Sequence, residues 1–285
     1  MNRFFIITNM VKDPDQSTTQ HIVTFLREHG AKADFLVRDT LSKEELAGSS
    51  NPNPLFIPPD TQCIIVLGGD GTLLQAARDT LRLGIPLVGV NLGTLGFLAE
   101  VEKAGLDEAL LNLLNDEYEI EERMLLTGSL WQGDKCIFEG HALNDIVISR
   151  RGPLMVLPVD IIVNGQPLAS YKADGIIVST PTGSTGYNLS AGGPIVTPKA
   201  QLMVLTPICP HTMNTRSVIL SPEDEVLLIL SGNDKSQNAE VNFDGGLPGQ
   251  VRIGDRIFIR RSGESTKLIR LSSESFLKLL HNKMK

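Results

Sequence analysis

The sequence has no pair of cysteines close enough to share a zinc ion or to outline a disulfide framework. Its three cysteines, Cys63, Cys136 and Cys209, are odd in number and far apart, with no CxxC. A reducing compartment is therefore expected. The chain also lacks a surplus of positive charge: lysine and arginine number 26 against 33 aspartates and glutamates, a formal net charge of −7. That balance argues against a general nucleic-acid partner or an anionic membrane surface, both of which favour a basic face. It leaves phosphorylated small molecules open, because a few backbone amides bind phosphate locally. No stretch approaches the roughly 20 apolar residues needed to cross a bilayer. The opening MNRFFIITNMVKDPDQ holds an apolar run too short for a secretory signal, then turns polar. No internal repeat or low-complexity segment is present. A cytoplasmic protein with neither nucleic acid nor membrane as partner is expected.

What remains is an ordinary globular composition over 285 residues, 41% hydrophobic and 21% charged, enough for one large domain or two with real cores. The first part alternates short apolar runs with amphipathic stretches. Strands are expected over 3–8, 33–39, 62–69 and 85–90, the third a continuous apolar run ending in glycine, as in a buried parallel strand. Helices are expected over 17–29, 72–82 and 105–114, with Gly30 stopping the first. Ser42 and Glu45 have capping-box spacing for a further short helix, and 51–60 reads as a Pro-rich connector. Strands alternating with helices imply βαβ units and a parallel sheet. From about residue 120 the texture changes to short alternating strands, with Asn164 and Gly165 between two of them as a hairpin signal. The last residues read as helix. The expected division is 1–120 as an α/β domain, 121–268 as a β-rich domain, and 269–285 as a helix packing back on the first.

Neither common phosphate loop is present, since GxxxxGK[ST] and GxGxxG both fail to match. In their place VLGGDGTLL, residues 66–74, runs from a predicted buried strand into a predicted helix. Open α/β sheets bind ligands at such strand ends, beside helix amides that favour anions. Gly68, Gly69 and Gly71 permit close backbone approach, yet Asp70 puts a carboxylate where phosphate would sit. A plain glycine-rich turn with Asp70 as helix cap accounts for those four residues equally well. A second glycine cluster, GVNLGTLGFLAE (89–100), suits a tight turn, with Asn91 capping it or touching a ligand. Asn144 and Asp145 precede a predicted strand. An adjacent amide and carboxylate can read an adenine edge and a ribose diol, though such pairs also form turns. The segment DGIIVSTPTGSTGYNLSAGGPIV (174–196) crowds small hydroxyls and glycines around Tyr187. It reads as a poor core and a poor helix, suited instead to a backbone held against a polar ligand with a ring for a base to stack on.

Taken in order, GGDGT, NLGTLGFLAE, LNDIVISR and above all DGIIVSTPTGSTGYNLSAGGPIV resemble the motifs of the NAD kinase family, and TPICPH and FDGG resemble its later segments. GGDG alone is shared with diacylglycerol kinases, sphingosine kinases and phosphofructokinases; the long second motif is not. The resemblance spans about residues 60–250 and implies a Rossmann-like α/β domain followed by a β-rich, β-sandwich-like domain. It implies transfer of the terminal phosphoryl of ATP, with polyphosphate an alternative donor, to the 2′-hydroxyl of the adenosine ribose of NAD. Asp70 corresponds to the acid that takes the hydroxyl's proton, with Asp145 the runner-up on the same ribose. Gly68, Gly69 and Gly71 correspond to the diphosphate loop, Thr72 counts among the binding residues, and Phe97 lies near the ligand. Asn144 and Asp145 correspond to adenine and ribose contacts, while Thr185, Tyr187 and Ser190 line the adenine pocket and Thr182 and Gly186 count among the binding residues. Asp174 belongs with the nicotinamide end, supplied in the family by a neighbouring subunit. Lys172 bears on the choice between oxidised and reduced nicotinamide, and Asp244 and His211 are more loosely placed. Many members carry Ala where this chain has Gly186. No lysine stands inside these loops, so Mg²⁺ is the implied partner of the phosphates, no metal ligand being named in the chain. A homotetramer, at least a dimer, is implied. Two other readings are a lipid kinase of the diacylglycerol-kinase type and a catalytically silent NAD-sensing module. The acidic balance and TPTGSTGY weigh against the first, and the presence of Asp70 against the second.

Overall fold

The computed structural model describes residues 1–38, 56–93, 96–152, 156–212, 216–232, 239–271 and 275–284. The Ser42–Glu45 capping box and residues 51–55 of the Pro-rich connector lie outside them. The chain divides into two compact units, 1–123 with 266–285, and 124–265.

In the first unit the apolar runs become parallel strands: β1 (Arg3–Asn9), β2 (Lys32–Arg38), β3 (Cys63–Gly68), β4 (Leu87–Asn91) and the short β5 (Val101–Glu102). Pairing runs β2–β1–β3–β4, all parallel. All six residues of β3 are buried, which explains why its sequence does not alternate. Helices cover both faces, each laying its apolar stripe on the sheet. Ile22, Val23 and Leu26 of α1 (Ser17–Glu28) and Leu106, Leu110 and Leu113 of α3 (Leu106–Leu114) share one core with Phe4, Ile6 and Ile65. Leu73 and Ala76 of α2 (Asp70–Thr80) pack on the other face against Phe5, Ile7 and Ile64. Chain order reverses between β1 and β3, so the loops after these strands flank the topological switch point where open α/β sheets take ligands.

The second unit is built almost wholly of antiparallel strands. They are β6 (Glu119–Gln132), β7 (Lys135–Ala142), β8 (Asp145–Arg150), β9 (Leu157–Val163), β10 (Gln166–Ala173) and β11 (Gly175–Ser179). After a four-residue helix α4 (Tyr187–Ser190) come β12 (Met203–Ile208), β13 (Val218–Leu220), β14 (Val226–Leu230), β15 (Ala239–Phe243), β16 (Gly246–Val251) and β17 (Arg256–Arg270). One sheet runs β13–β12–β11–β8–β15–β16, and β10–β9–β14–β17 belongs to another. Inward residues of both sheets, among them Ile146, Ile176 and Val241 from one and Val159, Leu228 and Ile257 from the other, form one core. The β9–β10 hairpin turns on Asn164 at φ 50° and Gly165 at φ 76°, the doubly left-handed pair a two-residue turn requires. The end of β17 belongs to the first unit, where Leu268 pairs with Leu87 in parallel, and α5 (Phe276–Lys283) follows.

Candidate active site

In the first unit β3 ends at Gly68 and α2 begins at Asp70. The helix therefore starts two residues before the apolar periodicity shows, because Gly69, extended at φ −120° and ψ −172°, serves as N-cap with no side-chain cap. Asp70 thus does not cap its own helix. Its carboxylate turns instead to the loop after β4 and accepts three consecutive backbone N–H groups, from Phe97 (2.7 Å), Leu98 (3.1 Å) and Ala99 (3.1 Å). A Cβ on Gly96 would overlap that carboxylate, so only glycine fits there. Gly68 is confined by the Thr72 side chain, whereas Gly69 and Gly71 have open space over their Cα atoms. Asn91 is buried, and its side chain spans the turn to both N–H and C=O of Gly93 (3.1 and 3.0 Å), which makes it a turn former.

Two further residues, Asn9 at the end of β1 and Lys12 in the β1–α1 loop, join this group without having been singled out in the sequence. Asn9 Nδ2 donates to Thr72 Oγ1 at 3.1 Å, and Lys12 Nζ lies 3.6 Å from the position a Cβ would take on Gly93. A lysine thus reaches the second glycine cluster from another loop altogether. The only sequence signal for it was its place just after a buried strand.

In the second unit a matching device holds Asn144 and Asp145. Asp244 sits in the β15–β16 turn at φ 51°, a left-handed conformation that Asp tolerates. Its carboxylate accepts the N–H groups of Leu143 (2.8 Å), Asn144 (2.7 Å) and Asp145 (3.1 Å). Asp145 is 5% exposed, and its carboxyl is pushed up to about 7, first by burial and then by the Asp244 charge. Asn144 Oδ1 is buried with no hydrogen-bond partner among the described residues. Such an orphaned acceptor is costly unless a ligand or water donates to it. Gly183 lies flat on the Asn144 backbone, where any Cβ would collide, and a Cβ on Gly186 would stand 3.5 Å from Asn144 Nδ2. An alanine at Gly186 would press on the Gly183 carbonyl more closely than ordinary contact, so the turn must give slightly to take it.

Asp174 pairs with Arg150 at 3.0 Å, and the backbone N–H of His211 donates to the Lys172 carbonyl at 2.8 Å. Tyr187 is half exposed; its hydroxyl is held above the usual phenol range by burial and then by Cys209, Asp174 and Asp145. Asn144, Asp145, Asp174, Gly186, Tyr187 and Asp244 therefore share one neighbourhood of this unit. Arg150 and Cys209, an exposed cysteine at φ 43°, belong to it as well and were not singled out.

The hydroxyl-rich segment departs from its reading as a poor core. Ser179, Thr180, Ser184 and Asn188 are fully buried, and Thr182 is 6% exposed. Their polar atoms are satisfied within the protein. Thr180 Oγ1 donates to Leu143 O (2.5 Å), and Ser184 Oγ donates to Pro181 O (2.7 Å) while accepting from Val196 N (3.0 Å). Asn188 Nδ2 donates to Ser184 O and Pro194 O, and its Oδ1 accepts from Thr206 Oγ1 at 2.7 Å. Thr185 Oγ1 stays near Thr182 O at 3.5 Å, and Ser190 is exposed. Most of these hydroxyls thus build a polar core beneath the surface that Tyr187 and Ser190 present.

Two family models match the chain: the ATP-NAD kinase N-terminal domain over residues 4–118 and the ATP-NAD kinase C-terminal domain over 143–271. A protein of Lachnospira eligens named NAD kinase is 43% identical over 295 residues, covering 100% of both chains. One of Agathobacter rectalis with the same name is 44% identical over 286 residues, covering 100% of this chain and 99% of its own. Among solved structures, yeast NADH kinase complexed with NADH superposes with a TM-score of 0.83 at 24% identity, over 99% of this chain and 87% of that one. An NAD kinase from Archaeoglobus fulgidus in complex with ATP gives a TM-score of 0.76 at 24% identity, over 98% of each chain. The glycine-flanked Asp70 and the Asn144–Asp145 pair thus lie within matched segments of a chain that belongs to the NAD kinase family, phosphotransferases whose acceptor is an alcohol group.

Proposed function

We propose that the protein moves the terminal phosphoryl group of ATP onto the 2′-hydroxyl of the adenosine ribose of NAD, forming NADP and ADP. The new bond joins the ribose oxygen to phosphorus, the bond to the bridging oxygen of ADP breaks, and the hydroxyl proton passes to a carboxylate. Such chemistry needs positioning and charge neutralisation more than covalent help. The relatives solved with NADH and with ATP support the two substrates. The observation that carries the acceptor reading is the orphaned Asn144 Oδ1 beside the buried Asp145, an amide and a carboxyl fixed by Asp244 and available to an adenosine.

Asp70 is the proton acceptor in this reading. A carboxylate has about four lone-pair sites; three are taken by the amides of residues 97–99, leaving one for the hydroxyl. Asp145 is the second candidate, favoured by a carboxyl already pushed to about 7. Gly68, Gly69, Gly71 and Thr72 border the phosphates at the start of α2, with Lys12 adding positive charge. Phe97 stands near the substrate. Thr182, Thr185, Gly186, Tyr187 and Ser190 serve the adenine, while Lys172 and Asp174 serve the nicotinamide end. No group of three or more His, Cys, Asp or Glu side chains is gathered for a metal among the described residues. A resident metal cage does not fit, so Mg²⁺ enters as the counter-ion of ATP, part of the donor. Cytoplasmic residence is supported by three free thiols. A homo-oligomer follows if Asp174 serves a neighbouring subunit's nicotinamide.

Incubation with ATP, Mg²⁺ and NAD, read by an NADP-specific dehydrogenase, is expected to yield NADP, and light scattering of the same preparation at least a dimer. NAD binding without product would leave a silent sensor, and phosphorylation of a lipid alcohol instead would leave a lipid kinase. A strict monomer would sink the shared role of Asp174.

A further inference from the structure

The loop that supplies three amides to Asp70 is itself gripped from the C-terminal end of the chain. Arg270, the last residue of β17, pairs through Nε with the Glu100 carboxylate at 3.2 Å; Glu100 is 11% exposed. Beyond it, Ser275 caps α5 by accepting the Lys278 N–H at 3.3 Å, which fixes where Phe276 starts the helix. Phe276 and Lys283 are seven residues, two turns, apart and so project from one face. That face meets Phe97: the two phenylalanine rings lie 6.2 Å apart at 43°, and Lys283 Nζ stands 4.9 Å from the Phe97 ring centroid. No residue of α5 is buried, so this helix adds nothing to either apolar core. It also lies beyond residue 271, where the family model's match ends.

From these contacts we infer that α5 is a positioning element for the reaction. It clamps the 97–100 loop through Phe97, while Arg270 holds Glu100, and the loop amides thereby fix the Asp70 carboxylate. Lys283 and Phe276 act through Phe97 and touch no substrate in this account. Aromatic-pair and cation–π contacts at exposed sites are modest, so the clamp tunes the carboxylate rather than creating it. The inference rests on Asp70 as proton acceptor.

The test compares Lys283→Gln and Lys283→Arg with the parent in the full chain, by steady-state kinetics, thermal melting and amide hydrogen exchange. K283Q is expected to lower kcat about two- to fivefold, with KM for NAD and the melting temperature unchanged, and to speed exchange of the amides of residues 97–99. K283R, which keeps the cation on the ring, is expected to restore both. Phe276→Ala should act in the same direction as K283Q. Parental kcat and parental exchange in K283Q would overturn the clamp, as would a change confined to KM. Asp70→Asn measured alongside separates the failures. Retained turnover there overturns the reading of Asp70, whereas an inactive Asp70→Asn with an unaffected K283Q overturns the clamp alone.

Discussion

Three aspartates are held in two different ways, with different consequences. Asp70 and Asp244 each bind three successive amides, so their charge is paid for by backbone dipoles. Asp145 has burial and a like charge beside it instead, and its carboxyl sits at about 7. A carboxyl raised in the folded state keeps a proton that the unfolded chain has already lost. Stability is then greatest below the unfolded value of about 4, falls as pH rises through the window to about 7, and is level above it. Asp145→Asn removes this titration. Denaturant unfolding without nucleotide, followed from about pH 4 to pH 8, should show the variant's stability gaining on the parent across that window. A difference that stays constant with pH would refute the assigned burial of this charge.

At the scale of elements, the segment from β11 through α4 is held by side chains that reach far along the chain. Thr180 bonds a carbonyl 37 residues away and Thr206 reaches Asn188 across 18, while Ser184 closes on residue 196. Asn188→Ala removes three hydrogen bonds, those to Ser184 O and Thr206 Oγ1 in the interior and a part-buried one to Pro194 O, and should cost about 2–3 kcal/mol in denaturant unfolding. A loss below a few tenths would mean that this polar core is not cooperative. The same separations explain what the sequence concealed. Buried strands were legible in runs such as CIIVLG, and the β9–β10 hairpin in Asn164–Gly165, because period and turn chemistry are local. The hydroxyls read as ligand-facing because their partners are distant in sequence. Lys12 carried no signal beyond following a buried strand for the same reason, since only the fold brings it beside Gly93.

For the molecule as a whole, each unit carries one set of residues anchored by a carboxylate on three amides: the glycine-flanked Asp70 in one, Asn144 and Asp145 under Asp244 in the other. The motifs named both aspartates, but not how they are held. Asp70 is bound to a loop 27 to 29 residues on, and Asp244 to one about 100 residues back. The central claim is that the Asp70 carboxylate, with one acceptor site left open, takes the proton of the attacking hydroxyl. Asp70→Asn tests it most directly, with NAD binding read by calorimetry and turnover by the coupled assay. The account predicts retained NAD affinity with turnover lower by about 10²- to 10⁴-fold. Near-normal turnover in that variant would contradict it and pass the role to Asp145.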